Sequence, residues 1–171
     1  MGSARAARPP NGLPDGRSLL DDVNRRLLAL LAEDPRLPVS ALARRVGMSA
    51  PAVRERLARL EDSGVIRGYR IDIEPAAVGV PVAAWVRVRP GPGQLAGVAE
   101  LARRRPEVSE CHRISGEDCF LMLVHVSEIA ALEGVLDDFL RYGQTVSSFV
   151  VATPVPPRPV LPDIYPVRSR P

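Results

Sequence analysis

The chain has 171 residues, of which 46% are hydrophobic and 25% charged, a composition typical of a soluble globular protein. All 23 basic residues are arginine, which excludes a Schiff base on lysine and a phosphate-binding loop that depends on lysine. The two cysteines are too few for a disulfide framework, so we expect a reducing cytoplasm. No apolar run approaches the roughly 18–20 residues of a transmembrane helix, and the first 17 residues lack the apolar segment of a signal peptide.

The N-terminal part predicts an arm followed by three helices. Residues 1–17 are rich in glycine, proline, alanine and arginine and predict disorder. Helical spacing of apolar residues predicts helices over 20–33, 38–46 and 50–63, with Ser18 as the cap of the first. These helices predict a compact domain over residues 18–65.

The second and third predicted helices have the local signals of a helix-turn-helix. Gly47 supplies the turn, Ser49 stands at the N-cap of the third helix, and Pro51 falls in its first turn, where a missing N–H costs nothing. Gly64 stands where a C-terminal glycine ends a helix. An apolar stripe at helical spacing packs the third helix onto the second: Val53, Leu57 and Leu60.

Positive charge is concentrated on this motif, with five arginines and one glutamate between residues 44 and 59. Arginine suits both guanine edges and phosphates, so the third helix is predicted to read duplex DNA. The alternative interpretation is an ordinary solvated helix face. The candidate base contacts are Ser49, Ala50, Pro51, Ala52, Arg54 and Glu55. The candidate phosphate contacts are Arg44, Arg45, Arg56 and Arg59.

Beyond the helices, alternating polarity over residues 66–73 predicts a half-buried strand within a linker that spans 66–80. A second domain is predicted over 81–153. Residues 154–171 contain seven prolines and predict a disordered tail that builds no core.

The second domain reads as strand, helix, strand, strand, helix, strand. The predicted elements cover residues 82–89, 94–104, 108–115, 119–126, 128–141, capped by Ser127, and 146–152. Two successive βαβ units predict a ferredoxin-like sandwich, so the whole chain is α+β, with a winged-type helix-turn-helix domain before the sandwich. The helices of such a fold cover one face of the sheet. Because Trp85 lies on the other face, a second copy is expected to cover it in a dimer.

Together, these motifs resemble the Lrp/AsnC family of prokaryotic transcription regulators over about residues 20–153. The family opening is matched by Leu20, Asp21, Leu27, Leu28, Leu31, Asp34 and Arg36, with Asn24 in place of its second aspartate. The helix-turn-helix pattern is matched by Leu42, Ala43, Gly47, Ser49, Val53, Arg56, Leu60, Glu61, Gly64, Ile66, Gly68 and Tyr69. A third pattern is matched by Glu110, Cys111, Ile114 and Gly116.

This resemblance implies that the third helix enters the major groove of double-stranded DNA. It implies that the second domain forms a homodimer, assembles further to a tetramer or octamer, and binds a small effector such as an amino acid. The implied effector residues are Ser115, Gly116, Glu117, Asp118, Cys119 and Ser147. Cys119 occupies the position where the family commonly has aspartate, and Asp118 lies one residue earlier. Ser147 has the equal alternative of being a plain strand residue.

The sequence also admits other functions. An architectural DNA-binding protein would need no effector. Some haem-precursor decarboxylases share the two-domain architecture, but they do not need a basic, N-capped helix that contacts DNA. A metal or nucleophilic site at Cys111, His112 and Cys119 is disfavoured because neighbouring strand residues point to opposite faces. No catalytic residue, cofactor or metal is therefore predicted.

Overall fold

A computed structural model of the protein describes residues 19–162, which form two compact units. The first comprises residues 19–71 together with 157–162, and the second comprises 72–156. The boundary falls inside the predicted linker. The predicted arm over 1–17 and the last part of the predicted tail, 163–171, lie outside the described residues.

The first unit contains the three predicted helices: α1 (Asp22–Glu33), α2 (Val39–Val46) and α3 (Ala50–Asp62). Their apolar faces meet in one core, because residues at helical spacing share a face. This core is built from Leu27, Leu42, Ala43, Val53 and Leu57, all buried.

The start of the first helix differs from the prediction. Helix α1 begins at Asp22 rather than Leu20, and its N-cap is Asp21, whose side chain accepts a hydrogen bond from the Asn24 backbone N–H at 2.8 Å. The predicted cap, Ser18, lies outside the described residues. Asp21 occupies the cap because its carboxylate reaches the free N–H three residues later, at the positive end of the helix.

The strand predicted over 66–73 is wrong: residues 67–74 form neither helix nor strand. Tyr69, Ile71 and Ile73 are 51%, 83% and 52% exposed instead of half-buried on one side. Alternating polarity suits a strand, but a strand also needs a neighbour that pairs with its backbone groups. The segment continues into a single 3-10 turn, Pro75–Val78.

The second unit is the predicted ferredoxin-like sandwich. Its strands are β1 (Val82–Pro90), β2 (Val108–Arg113), β3 (Phe120–Val126) and β4 (Gly143–Phe149), and its helices are α4 (Leu95–Arg104) and α5 (Ile129–Leu140). The antiparallel sheet has the order β2-β3-β1-β4. Alternate residues of β1 and β3 bury against the helices: Ala84, Val86, Val88, Phe120, Met122 and Val124.

Several predicted boundaries of this unit are corrected. Leu95 and Ile129 are the first residues of α4 and α5 and, although apolar, are 39% and 63% exposed. Helix α5 is capped by Glu128 rather than Ser127, without a side-chain hydrogen bond. Gly143 begins β4, so the last strand is Gly143–Phe149 rather than 146–152. Glycine is required there because a Cβ would lie 2.0 Å from the carbonyl oxygen of Arg89 on β1.

The two edges of the sheet differ in character. On β2, Glu110, His112 and Arg113 are charged or titratable, and the pairing register shifts between Val108 and Glu110. On β4, residues 143–149 include no charged side chain. Among residues 19–162, no helix is both long and apolar enough to span a bilayer.

One face of the sheet lacks the cover of α4 and α5. Trp85 of β1 pairs with Leu123 of β3, and their side chains lie on the face opposite to Val86 and Met122. Leu121 is on this face too. We call it the open face.

Candidate nucleic-acid interface and effector loop

The turn between α2 and α3 is set by two local features. Gly47 has the left-handed backbone conformation, with φ 69° and ψ 34°, which glycine adopts without strain. The Met48 N–H bonds to the Ala43 carbonyl at 3.0 Å. The Ser49 hydroxyl then accepts a hydrogen bond from the Ala52 N–H at 3.4 Å and begins α3. The predicted turn glycine and N-cap are therefore confirmed.

Helix α3 has one buried side and one exposed side. Val53, Leu57 and Leu60 are 0%, 9% and 0% exposed, so the predicted apolar stripe is confirmed. The residues that face solvent include Ser49, Pro51, Arg54, Glu55 and Arg59, while Ala50 and Ala52 are half-buried.

The exposed arginines have few competing partners. Arg59 lies 3.7 Å from Glu55, and both side chains are largely solvated, so the pair is weak. Arg44, Arg45 and Arg54 are exposed and form no ion pair within residues 19–162. Their guanidinium groups are therefore available to an anionic surface.

Arg56 is different from the other predicted phosphate contacts. Its side chain is only 22% exposed, and its Nη1 donates to Asp21 Oδ2 at 2.6 Å and to Asn24 Oδ1 at 3.1 Å. It therefore connects α3 to the start of α1. Asp21 and Asn24 were not among the residues predicted for this interface. Both positions belong to the family opening described above, and that sequence pattern could have indicated them.

Tyr69 joins the segment after α3 back to that helix. Its hydroxyl donates to Glu61 Oε1 at 2.9 Å. Burial, followed by the neighbouring carboxylate, raises the pKa of Tyr69 to about 12. The hydroxyl therefore stays protonated at neutral pH and fixes the first residues of the linker.

The predicted effector loop connects β2 to β3. Gly116 has φ 104°, and the Ile114 N–H bonds to the Cys119 carbonyl at 2.9 Å, which closes the turn. Asp118 belongs to this turn rather than to a strand. The hydrogen bond between Ile114 and Cys119 brings the two ends of the loop together, so residues 115–119 lie close to one another.

Two arginines of β1 meet the carboxylates of this loop. Asp118 lies 3.6 Å from both Arg87 and Arg89, and Glu117 forms an ion pair with Arg89. The sequence prediction missed both arginines, although the alternation along β1 places them on the open face. Opposite charges are therefore side by side at an accessible surface.

Ser147 lies elsewhere in the same chain. It pairs with Val86 of β1, so its side chain is on the helix-covered side of the sheet, whereas Arg87 is on the open face. One chain does not bring Ser147 together with the loop. Cys111 and His112 likewise lie on opposite faces of β2, and residues 19–162 contain no cluster of three metal-ligating side chains.

Comparison with known proteins gives two family matches. Residues 20–61 match the AsnC-type helix-turn-helix domain, and residues 82–160 match the Lrp/AsnC ligand binding domain. These ranges correspond to the three-helix unit and the sandwich.

Individual relatives agree with these matches. The HTH-type transcriptional regulator LrpA of Mycobacterium tuberculosis is 40% identical over 118 residues, which are 68% of this chain and 79% of the relative. A solved structure of the feast or famine regulatory protein of M. tuberculosis complexed with L-methionine is similar, with a TM-score of 0.78, 36% identity, and coverage of 84% of this chain and 99% of that one. A transcriptional regulator of Neisseria meningitidis in complex with L-Met has a TM-score of 0.75 and 28% identity, with coverage of 84% and 96%.

Proposed function

The chain belongs to the Lrp/AsnC family of transcription regulators, and we propose that it contacts its operator through the exposed side of α3. Like its relatives, it is a DNA-binding transcriptional regulator and not an enzyme. We propose that it acts on DNA in the cytoplasm of a prokaryotic cell. One observation supports this contact surface: the capped N-terminus of α3 lies next to exposed arginines that have no strong partners among the described residues.

The base contacts are assigned to the N-terminal part of this helix. Residues there enter a major groove first, so Ser49, Pro51, Arg54 and Glu55, with Ala50 and Ala52 beside them, face the base edges. Arg44, Arg45 and Arg59 contact phosphates, which orient the helix without reading sequence.

Selection of duplexes from a randomised pool tests this assignment. Arg54→Ala is expected to relax base preference at one position of the selected sequence by about 1–3 kcal/mol. Arg103→Ala is the matched control, because this exposed arginine of α4 carries the same charge and, among residues 19–162, forms an ion pair with Glu100 alone, at 3.0 Å. An unchanged selected sequence for Arg54→Ala removes Arg54 from the base contacts.

A second copy of this chain is proposed to cover the open face, giving a homodimer that assembles further to a tetramer or octamer. Trp85, Leu121 and Leu123 form an apolar centre there without helical cover. The exposed Ile73 adds apolar surface at the start of the second unit. A two-fold dimer predicts palindromic half-sites separated by multiples of about 10 base pairs.

Sedimentation velocity and tryptophan fluorescence test the dimer together. Trp85 is the single tryptophan of the chain, so burial between two copies shifts its emission to shorter wavelength, and dilution reverses the shift. Trp85→Arg should yield folded monomers, whereas Ala131→Arg, at an exposed position of α5, should leave the dimer intact. A wild-type protein that sediments as a monomer refutes the dimer.

The effector is proposed to be an amino acid bound at the loop 115–119. The loop and β1 offer carboxylates from Glu117 and Asp118 next to guanidinium groups from Arg87 and Arg89. Such a pair of charges suits a zwitterion, whose ammonium meets a carboxylate and whose carboxylate meets an arginine. Ser147 is left out of this site because it lies on the other side of the sheet.

A thermal-shift screen with amino acids and the corresponding keto acids tests this site. An amino acid at about 100-fold excess over its Kd should stabilise the protein by about 2.7 kcal/mol, and its keto acid should not. Asp118→Asn should abolish the shift, whereas Asp137→Asn, which removes an exposed carboxylate of α5, should preserve it. No shift with any compound favours an architectural DNA-binding protein without an effector.

A further inference from the structure

A small polar network joins the beginning of α1 to the middle of α3. Asn24 is the buried polar side chain of the described residues, at 5% exposure. Its Nδ2 donates to the Leu19 carbonyl at 2.6 Å, and its Oδ1 accepts from Arg56 at 3.1 Å. Because a buried polar group without partners is costly, this amide fixes the relative positions of the groups it bonds.

Asp21 completes the network by using both of its carboxylate oxygens. Oδ1 caps α1 by accepting from the Asn24 backbone N–H at 2.8 Å, and Oδ2 accepts from Arg56 at 2.6 Å. The cap hydrogen bond first, and the Arg56 guanidinium second, lower the pKa of Asp21 below its usual value. The carboxylate is therefore ionised and held at neutral pH.

Apolar packing alone does not fix the rotation of α3 or its position along its axis. The stripe of Val53, Leu57 and Leu60 contributes burial, which is favourable but not directional. Hydrogen bonds have fixed lengths and angles, so the bonds from Arg56 set the rotation and the position of α3 along its axis. The rotation and axial position of α3 decide which of its exposed side chains reach a base edge.

We infer that Arg56 is a positioning residue of the DNA-binding unit, which orients α3 through Asp21 and Asn24 and is not one of its phosphate contacts. Its contribution to binding is then discrimination between sequences. A phosphate contact would contribute affinity for every sequence instead, with a salt dependence.

The test uses the full-length protein and two labelled duplexes of about 30 base pairs, roughly three helical turns. One duplex is selected by the wild-type protein from a randomised pool, and the other has the same composition in scrambled order. The Kd for each is measured over a range of salt concentrations. Circular dichroism establishes that each variant is folded at the assay temperature.

The informative variants are Asp21→Asn, Arg56→Gln and the double variant. Asparagine at position 21 keeps an oxygen for the cap but loses the charge opposite Arg56. The matched control is Asp22→Asn, which makes the same charge change at the adjacent exposed position. Asp21→Asn and Arg56→Gln should each lower the ratio of selected to scrambled affinity about tenfold. The double variant should be no worse than Arg56→Gln, because both lose one shared contact.

The salt slope separates this role from a phosphate contact. We expect Arg56→Gln to keep the wild-type slope of log K against log salt concentration. A slope reduced by about 0.9 makes Arg56 a phosphate contact and overturns the inference. It is also overturned if Asp21→Asn behaves like Asp22→Asn, or if folded variants discriminate as well as the wild-type protein does.

Discussion

Replacing Arg59 by alanine removes one exposed guanidinium from α3 without disturbing the core. Its side chain is 57% exposed, and in the described part of the chain its one ion pair is a weak one to Glu55 at 3.7 Å. The free energy of unfolding should therefore change by less than about 0.5 kcal/mol. If Arg59 contacts a phosphate, the variant releases about 0.9 fewer counterions on binding.

The size of the effect on binding follows from that slope. A fourfold rise in salt, from about 50 to 200 mM, should shrink the affinity deficit of Arg59→Ala by about 3.5-fold, on selected and scrambled duplexes alike. Fluorescence anisotropy titrations at several salt concentrations measure both slopes. Arg103→Ala, with the same charge loss on α4, should leave the slope unchanged. Loss of discrimination at an unchanged slope would identify Arg59 as a base contact and refute the phosphate assignment.

Further predictions concern stability and titration. Gly143→Ala should destabilise the protein by at least about 1–3 kcal/mol in urea unfolding, because its Cβ would meet the backbone of β1 at 2.0 Å. Gly134→Ala, with open space around the new Cβ in α5, should stabilise it by about 0.5–1 kcal/mol; equal effects would contradict the steric argument. Because the pKa of Asp21 is lowered on folding, its contribution to stability is complete above about pH 4 and is lost as pH falls through the lowered pKa. Asp21→Asn should flatten that acid-side loss, and an unchanged pH profile would count against the ion pair. The raised pKa of Tyr69 has the opposite sign: its stabilisation is present below about pH 10 and disappears as pH rises through about 12. Tyr69→Phe should cost about 0.5 kcal/mol at neutral pH and remove one late step from the ultraviolet titration of tyrosinate; a titration with that step still present assigns it to another tyrosine.

The helix-turn-helix was predictable because its signals are local. The turn at Gly47, the cap at Ser49 and the stripe that includes Val53 and Leu57 lie within about three helical turns of sequence. The ferredoxin-like order was also predictable, since the sequence of strands and helices admits few arrangements.

Features that depend on distant partners were not predictable in the same way. Residues 66–73 have the alternation of a strand, but no neighbouring strand pairs with them in the described chain. Gly143 resembles a helix terminator, and only the close approach of Arg89 explains its place at the start of β4. Arg56 resembles the other basic residues of α3 until Asp21, 35 residues away, is seen beside it.

The uncharged β4 edge exposes the protein to misassembly at high concentration. An edge strand presents unpaired backbone groups, and charged side chains are the usual protection against pairing with the wrong chain. Residues 143–152 offer none, whereas the β2 edge has Glu110, His112 and Arg113. At high concentration we expect misassembly to begin at β4. A single arginine at the exposed Gln144 or Ser148 should raise the concentration at which purified protein starts to precipitate.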